Sequence, residues 1–147
     1  MKVIRLNNMT KNIFLGIFTI MMIFLFASCA RKLTFSTSPV VPAAQGYANI
    51  TRDKNNNYVI KIRISDLAEA ERLQSPKQTY VVWMFTDEGI TKNIGQLNST
   101  TSFLSKKLQA SLEALSASNP SKIFITAEDD ASTQYPSKQV VLSTDIF

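Results

Sequence analysis

No histidine occurs anywhere in the 147 residues, and the only cysteine is Cys29. The missing imidazole removes Ser-His-Asp and Cys-His catalysis and the common zinc sites in one step. A single thiol has no intrachain partner, so the folded chain must be stabilised by its core without a disulfide. Positive charge is scarce too once the N-terminus is set aside. Residues 1–28 hold Lys2, Arg5 and Lys11 and no acid; without them the 16 basic residues become 13, against 11 acidic, a balance near +2. No Lys/Arg cluster with interleaved aromatics remains in that part, which argues against nucleic acid as a partner. Long apolar runs are also missing. The stretch from Ile13 to Phe26 spans 14 residues and is interrupted by Gly16 and Thr19, whereas a spanning helix needs about 20. No internal repeat is present.

What the N-terminus does contain is a basic start, that short apolar run and the small residues Ala27 and Ser28 ahead of Cys29. These are the marks of a secretory signal over residues 1–28. Phe26-Ala27-Ser28-Cys29 resembles the lipobox of bacterial lipoproteins, with Phe26 standing where leucine is commonest. The resemblance implies cleavage before Cys29 and a diacylglycerol on its sulfur, a linkage that needs a thiol. Acyl chains contribute about 0.8 kcal/mol per buried methylene, so two or more anchor a protein durably. The plain alternative is an incidental cysteine at the end of an apolar run. Ala30, Arg31 and Lys32 follow, with no acidic run. By the same resemblance the expected place is the periplasmic face of the outer membrane. The expected partners are the membrane, through lipid on Cys29, and an envelope protein.

Residues 29–45 read as a tether, because Ser36, Thr37, Ser38, Pro39, Pro42 and Ala43 dominate and proline favours an extended chain. Residues 46–147 then form one domain, large enough to bury roughly two thirds of its unfolded surface. Tyr58, Ile60, Ile62 and Ile64 alternate with Val59, Lys61 and Arg63, a period of two that places the first set on one buried face. Asp53-Lys54-Asn55-Asn56-Asn57 is a turn cluster and predicts a hairpin of 47–53 with 57–64. Asp66 and Glu69 have capping-box spacing, predicting a helical turn near 66–73 that Pro76 ends. Tyr80 to Phe85 is apolar at every position, as in a central strand covered on both faces. Asp87-Glu88-Gly89 marks a turn and Ile90–Asn98 the returning strand. Residues 102–115 fit both a helix and a strand; the β context favours strand. Ile123–Ala127 and Gln139–Thr144 complete the set. The fold class is all-β, a single antiparallel β-sandwich of about seven strands.

Three stretches together resemble the C-terminal extracytoplasmic domain of anti-sigma-K-type factors. They are Thr79-Tyr80-Val81-Val82-Trp83-Met84 with Asp87-Glu88-Gly89, then Ile94-Gly95-Gln96-Leu97, and last Phe124-Ile125-Thr126-Ala127-Glu128 with Pro136. The family's Gly-Gly in the last turn is absent; Asp130, Ala131 and Ser132 occupy the region. The resemblance implies a small β-sandwich outside the cytoplasm. It does not extend to sigma-factor binding, because only 12 residues precede the apolar run, too few to fold. The chain is also similar to small lipoproteins of Bacteroidetes-like bacteria.

The remaining candidates for chemistry are carboxylates. Glu128-Asp129-Asp130 is the one acidic cluster. With backbone carbonyls it could hold Ca²⁺, though an acidic loop is more often solvated, and no metal is expected. Glu69 with Glu71 and Asp87 with Glu88 fit a helix start and a turn. Trp83 fits a core position better than a ligand groove, and Lys106-Lys107 a solvated stretch. No catalytic residue and no cofactor are expected. The leading reading is a non-enzymatic, lipid-anchored interaction or sensing module. The rivals are a carboxylate-dependent envelope hydrolase, which needs two carboxylates in one cleft, and a purely structural lipoprotein.

Overall fold

The computed structural model describes residues 12, 13 and 17, the stretch 31–101 and the stretch 108–147. Cys29 and all but three residues of the expected signal lie outside this set. Among the described residues, no helix is long and apolar enough to cross a membrane.

The hairpin expected from the asparagine cluster is the nucleus of one sheet. Strand β2 (Gln45–Arg52) pairs antiparallel with β3 (Tyr58–Ser65). The turn is held by Asp53, whose Oδ1 accepts the N–H of Asn55 and of Asn57 at 2.8 Å each. Asn56 takes the left-handed conformation there, with φ of 65°, which asparagine tolerates better than most residues. The alternation in β3 sends Ile60, Ile62 and Ile64 inward, each almost fully buried, and leaves Lys61 and Arg63 in solvent. Strand β7 (Leu108–Ser116) pairs along the whole of β3, so the ambiguous segment is strand where it is described. A short β6 (Asn98–Thr101) closes that side of the sheet.

The other edge corrects the expected tether at 29–45. Residues 31–34 form strand β1 (Arg31–Thr34), paired antiparallel with Tyr47–Ile50 of β2. Phe35, Val41 and Ala44 then enter the core, at 3 to 8% exposure. The prolines shape a turn instead of a spacer, with Ser38 Oγ accepting the backbone N–H groups of Val40 and Val41 at 3.2 and 2.9 Å. The physical reason is the edge of β2. Its backbone groups need partners, and an aperiodic segment beside it can supply them. The domain therefore reaches back from residue 46 at least to Arg31.

The second sheet is built on β4 (Thr79–Thr86), which lies between β5 (Thr91–Gln96) and β8 (Pro120–Glu128), with β9 (Val140–Ser143) outside β8. The two antiparallel sheets, in the orders β1-β2-β3-β7-β6 and β5-β4-β8-β9, make the sandwich. Its nine strands exceed the expected seven for two reasons. One is β1. The other is that the returning strand divides at Leu97, where the chain passes from the four-stranded to the five-stranded sheet. Gly95, at φ of 134°, makes that passage, and a Cβ there would meet Leu112 Cδ1 at 3.1 Å.

The helical turn expected near 66–73 shrinks to a 3-10 turn, Ala70–Arg72. Asp66 does not cap it: Asp66 has φ of 57°, and the residue at the cap is Glu69, whose side chain makes no capping bond. Glu69 instead pairs with Arg72 at 2.6 Å. Leu67, Ala70 and Leu73 are buried in the main core, and the Tyr80 hydroxyl donates to the Ala68 carbonyl at 2.9 Å. Burial of these apolar side chains, with no repeating helical hydrogen bonds, holds the segment.

Candidate functional site

Strand β4 is covered on both faces, but by different things. Tyr80, Val82 and Met84 face the five-stranded sheet and belong to the main core. Val81 and Trp83 point the other way and are nevertheless fully buried, at 0% exposure. Their cover is the loop from residue 129 to 139, which joins β8 to β9. Asn93 on β5 donates from Nδ2 to the carbonyls of Ala131 and Thr133, at 2.9 and 3.0 Å, and so straps this loop across Trp83. Trp83 also stacks on Phe124 of β8, with centroids 6.3 Å apart. It is a core residue, as its strand implied, but in a second apolar layer outside the sheet.

The acidic cluster serves that loop. Trp83 Nε1 donates to Thr126 Oγ1 at 2.7 Å, and Thr126 Oγ1 donates on to Glu128 Oε1. The same carboxylate oxygen accepts the Ser137 N–H at 2.7 Å, and Ser137 Oγ donates to the Ala127 carbonyl at 3.0 Å. Glu128 is 6% exposed, so a buried carboxylate with two donors fixes both ends of the loop, as a buried charge requires. Asp129 pairs with Lys77 at 2.6 Å. Asp130 Oδ1 accepts the N–H and the hydroxyl of Ser132, which holds its carboxyl below the usual range. The three neighbouring acids thus take three separate structural roles. Among the described residues, no group of three or more acidic, cysteine or histidine side chains could hold a metal ion.

Turn and helix-start acids behave likewise. Asp87 Oδ2 accepts from Asn119 Nδ2 at 3.0 Å, and Gly89, at φ of 80°, completes the turn before β5. Asp53 is held below its ordinary value by the Asn57 backbone N–H first, with further donors from the Asn57 side chain and the Asn55 backbone.

The outer face of the five-stranded sheet carries a depression. A shallow groove of about 630 Å³ crosses β1, β2, β3 and β7. Lys32, Tyr47, Arg63, Gln109 and Ser111 line it. Lys32 Nζ stands 4.4 Å above the Tyr47 ring, a cation–π contact that orients the ammonium. Arg63 forms no ion pair with another described residue, and no acid lines the groove. Glu113, two residues along β7 from Ser111, is paired with Lys61 at 3.1 Å. Close approach of the strands beside the groove depends on Gly46, where a Cβ would lie 2.4 Å from Ile64 Cδ1 and 2.5 Å from the Arg63 carbonyl oxygen. The groove's chemistry is polar and cationic. It was not foreseen from the sequence, because its residues sit on four strands separated along the chain and carry no local motif.

No protein-family model, curated protein or solved structure matches the chain.

Proposed function

We propose that the chain is a lipid-anchored β-sandwich of the cell envelope, a non-enzymatic interaction or sensing module held on the periplasmic face of the outer membrane through Cys29. The observation that carries this reading is Phe26-Ala27-Ser28-Cys29 after a basic start and an apolar run of 14 residues. The resemblance of residues 46–145 to the extracytoplasmic half of anti-sigma-K-type factors supports a sensing role, with lipid replacing the membrane helix. The groove bearing Lys32, Tyr47 and Arg63 is the surface through which the domain meets its partner, and its charge favours an acidic or polar one.

Two measurements test the two halves of this reading. Cells supplied with an alkyne-tagged fatty acid should label the wild-type chain and leave Cys29→Ser unlabelled; label retained by the variant overturns the anchor. A photo-crosslinking residue at Arg63 or Gln109 in the anchored chain should yield a discrete adduct in whole envelopes. The same residue at Gln134, on the opposite sheet's covering loop, should not. Equal adducts from both positions overturn the groove.

A further inference from the structure

We propose that one end of the sandwich, the end at which β1 begins, rests on the phospholipid surface; this depends on the lipid anchor at Cys29 argued above. The length of chain between anchor and fold sets the geometry. Cys29 is two residues ahead of Arg31, the first residue of β1. An extended chain spans at most about 3.3–3.6 Å per residue, so the Cα atoms of Cys29 and Arg31 lie within about 7 Å of each other. Because 31–45 is folded against the domain and not a spacer, no free segment lets the sandwich stand away from the bilayer.

The antiparallel topology gathers a particular set of residues at that end. The β2–β3 turn, the β4–β5 turn, the β7–β8 turn and the C-terminus all meet there, as shown by the bonds Lys92 Nζ to Ser118 Oγ, Asp87 N to the Asn119 carbonyl, and Phe147 N to the Ser121 carbonyl. Five large apolar residues of 31–147 stand exposed among those described: Ile90, Leu115, Tyr135, Val140 and Ile146. Ile90 closes the β4–β5 turn, Leu115 is the next-to-last residue of β7, and Ile146 is in the C-terminal tail; all three are at the anchored end. Ile146 is 77% and Leu115 67% exposed, and moving such apolar side chains out of water into the acyl boundary is favourable.

Between these points is a depression of about 420 Å³ lined by Arg31, Arg52, Ile50, Tyr58, Pro120 and Phe147. Arg31 stacks on Phe147 at 4.9 Å and Arg52 on Tyr58 at 4.4 Å. Arg52 already donates from Nη1 to Asn56 Oδ1 and from Nη2 to the Tyr58 hydroxyl, so Arg31 is the guanidinium placed to meet a phospholipid phosphate, which its planar fork binds bidentately. Asp53, Asp87, Glu88 and Asp145 share this end. General attraction to an anionic membrane therefore contributes little; the short link, the apolar points and Arg31 carry the contact.

The test uses the full chain, acylated in cells, purified and reconstituted into vesicles of phosphatidylethanolamine and phosphatidylglycerol. Single cysteines at Ile90, Ile146 or Tyr135 are labelled with an environment-sensitive fluorophore; the thioether on Cys29 leaves only the added thiol to react. Shallow nitroxide lipids should quench the probes at 90 and 146 severalfold more than the probe at 135. Equal quenching at all three, or stronger quenching at 135, overturns the orientation while flotation with the vesicles still upholds the anchor. A chain that carries no acyl group and does not float refutes the anchor and this proposal together.

Discussion

Trp83 shows how one side chain can connect two layers of a fold. Its ring fills the space between the outer face of the four-stranded sheet and the 129–139 loop, and its N–H starts the relay through Thr126 to Glu128. Trp83→Ala removes a fully buried aromatic, which in general costs about 3–5 kcal/mol, and also takes the donor from Thr126 Oγ1. The expected result is a large fall in the urea midpoint followed by circular dichroism, with Trp83→Phe falling much less because the stack on Phe124 survives. A midpoint for Trp83→Ala near wild type would show that the loop does not pack as described. Tyr80 supplies a pH test. Burial pushes its hydroxyl up to about 12, against about 10 in an unfolded chain. Between those values the unfolded chain binds fewer protons, so this contribution is complete below pH about 10 and is lost as pH rises towards 12. Wild-type stability should therefore drop more steeply than that of Tyr80→Phe over that alkaline range; parallel curves would contradict the burial of the hydroxyl.

Among the elements, β1 and the turn after it carry the largest consequence. Phe35 and Val41 are buried, and each such side chain contributes about 1.5–3 kcal/mol. Strand β1 also covers the edge of β2, which would otherwise present free backbone groups to a neighbouring molecule. A soluble chain starting at Arg31 should melt well above one starting at Gln45, by a margin worth several kcal/mol, and the shorter chain should aggregate. Equal melting temperatures would restore the tether reading. The loop of 129–139 is a second element whose role depends on position. It has few apolar residues, and its attachment relies on polar bonds from Asn93, Glu128 and Ser137.

At the scale of the molecule, the anchor proposed at Cys29 would become an orientation through its short link to β1. With the Arg31 end on lipid, the opposite end, carrying the 66–78 segment and the 129–139 loop, faces away from the membrane. The groove on the five-stranded sheet then stands along the side of the domain, open to a partner in the envelope. A flexible tether of the length first expected would have left the domain free to rotate, with no preferred face.

Much of the sandwich was legible along the chain. The alternation in β3, the uninterrupted apolar run of β4 and the Asp53–Asn57 turn each reflect a requirement that neighbouring residues alone express: side chains in a strand alternate faces, and a left-handed turn favours asparagine. The absence of histidine and the single cysteine likewise limited the chemistry before any fold was known. Tertiary structure decided the rest. Arg31–Thr34 became a strand because the edge of β2 lay beside it, Glu128 became a buried tie because Thr126 and Ser137 met it from two segments, and the groove arose where four strands came side by side. Periodicity is a property of neighbours in sequence. Edges, covers and grooves are made by residues far apart in the chain, and only the packed sheets bring them together.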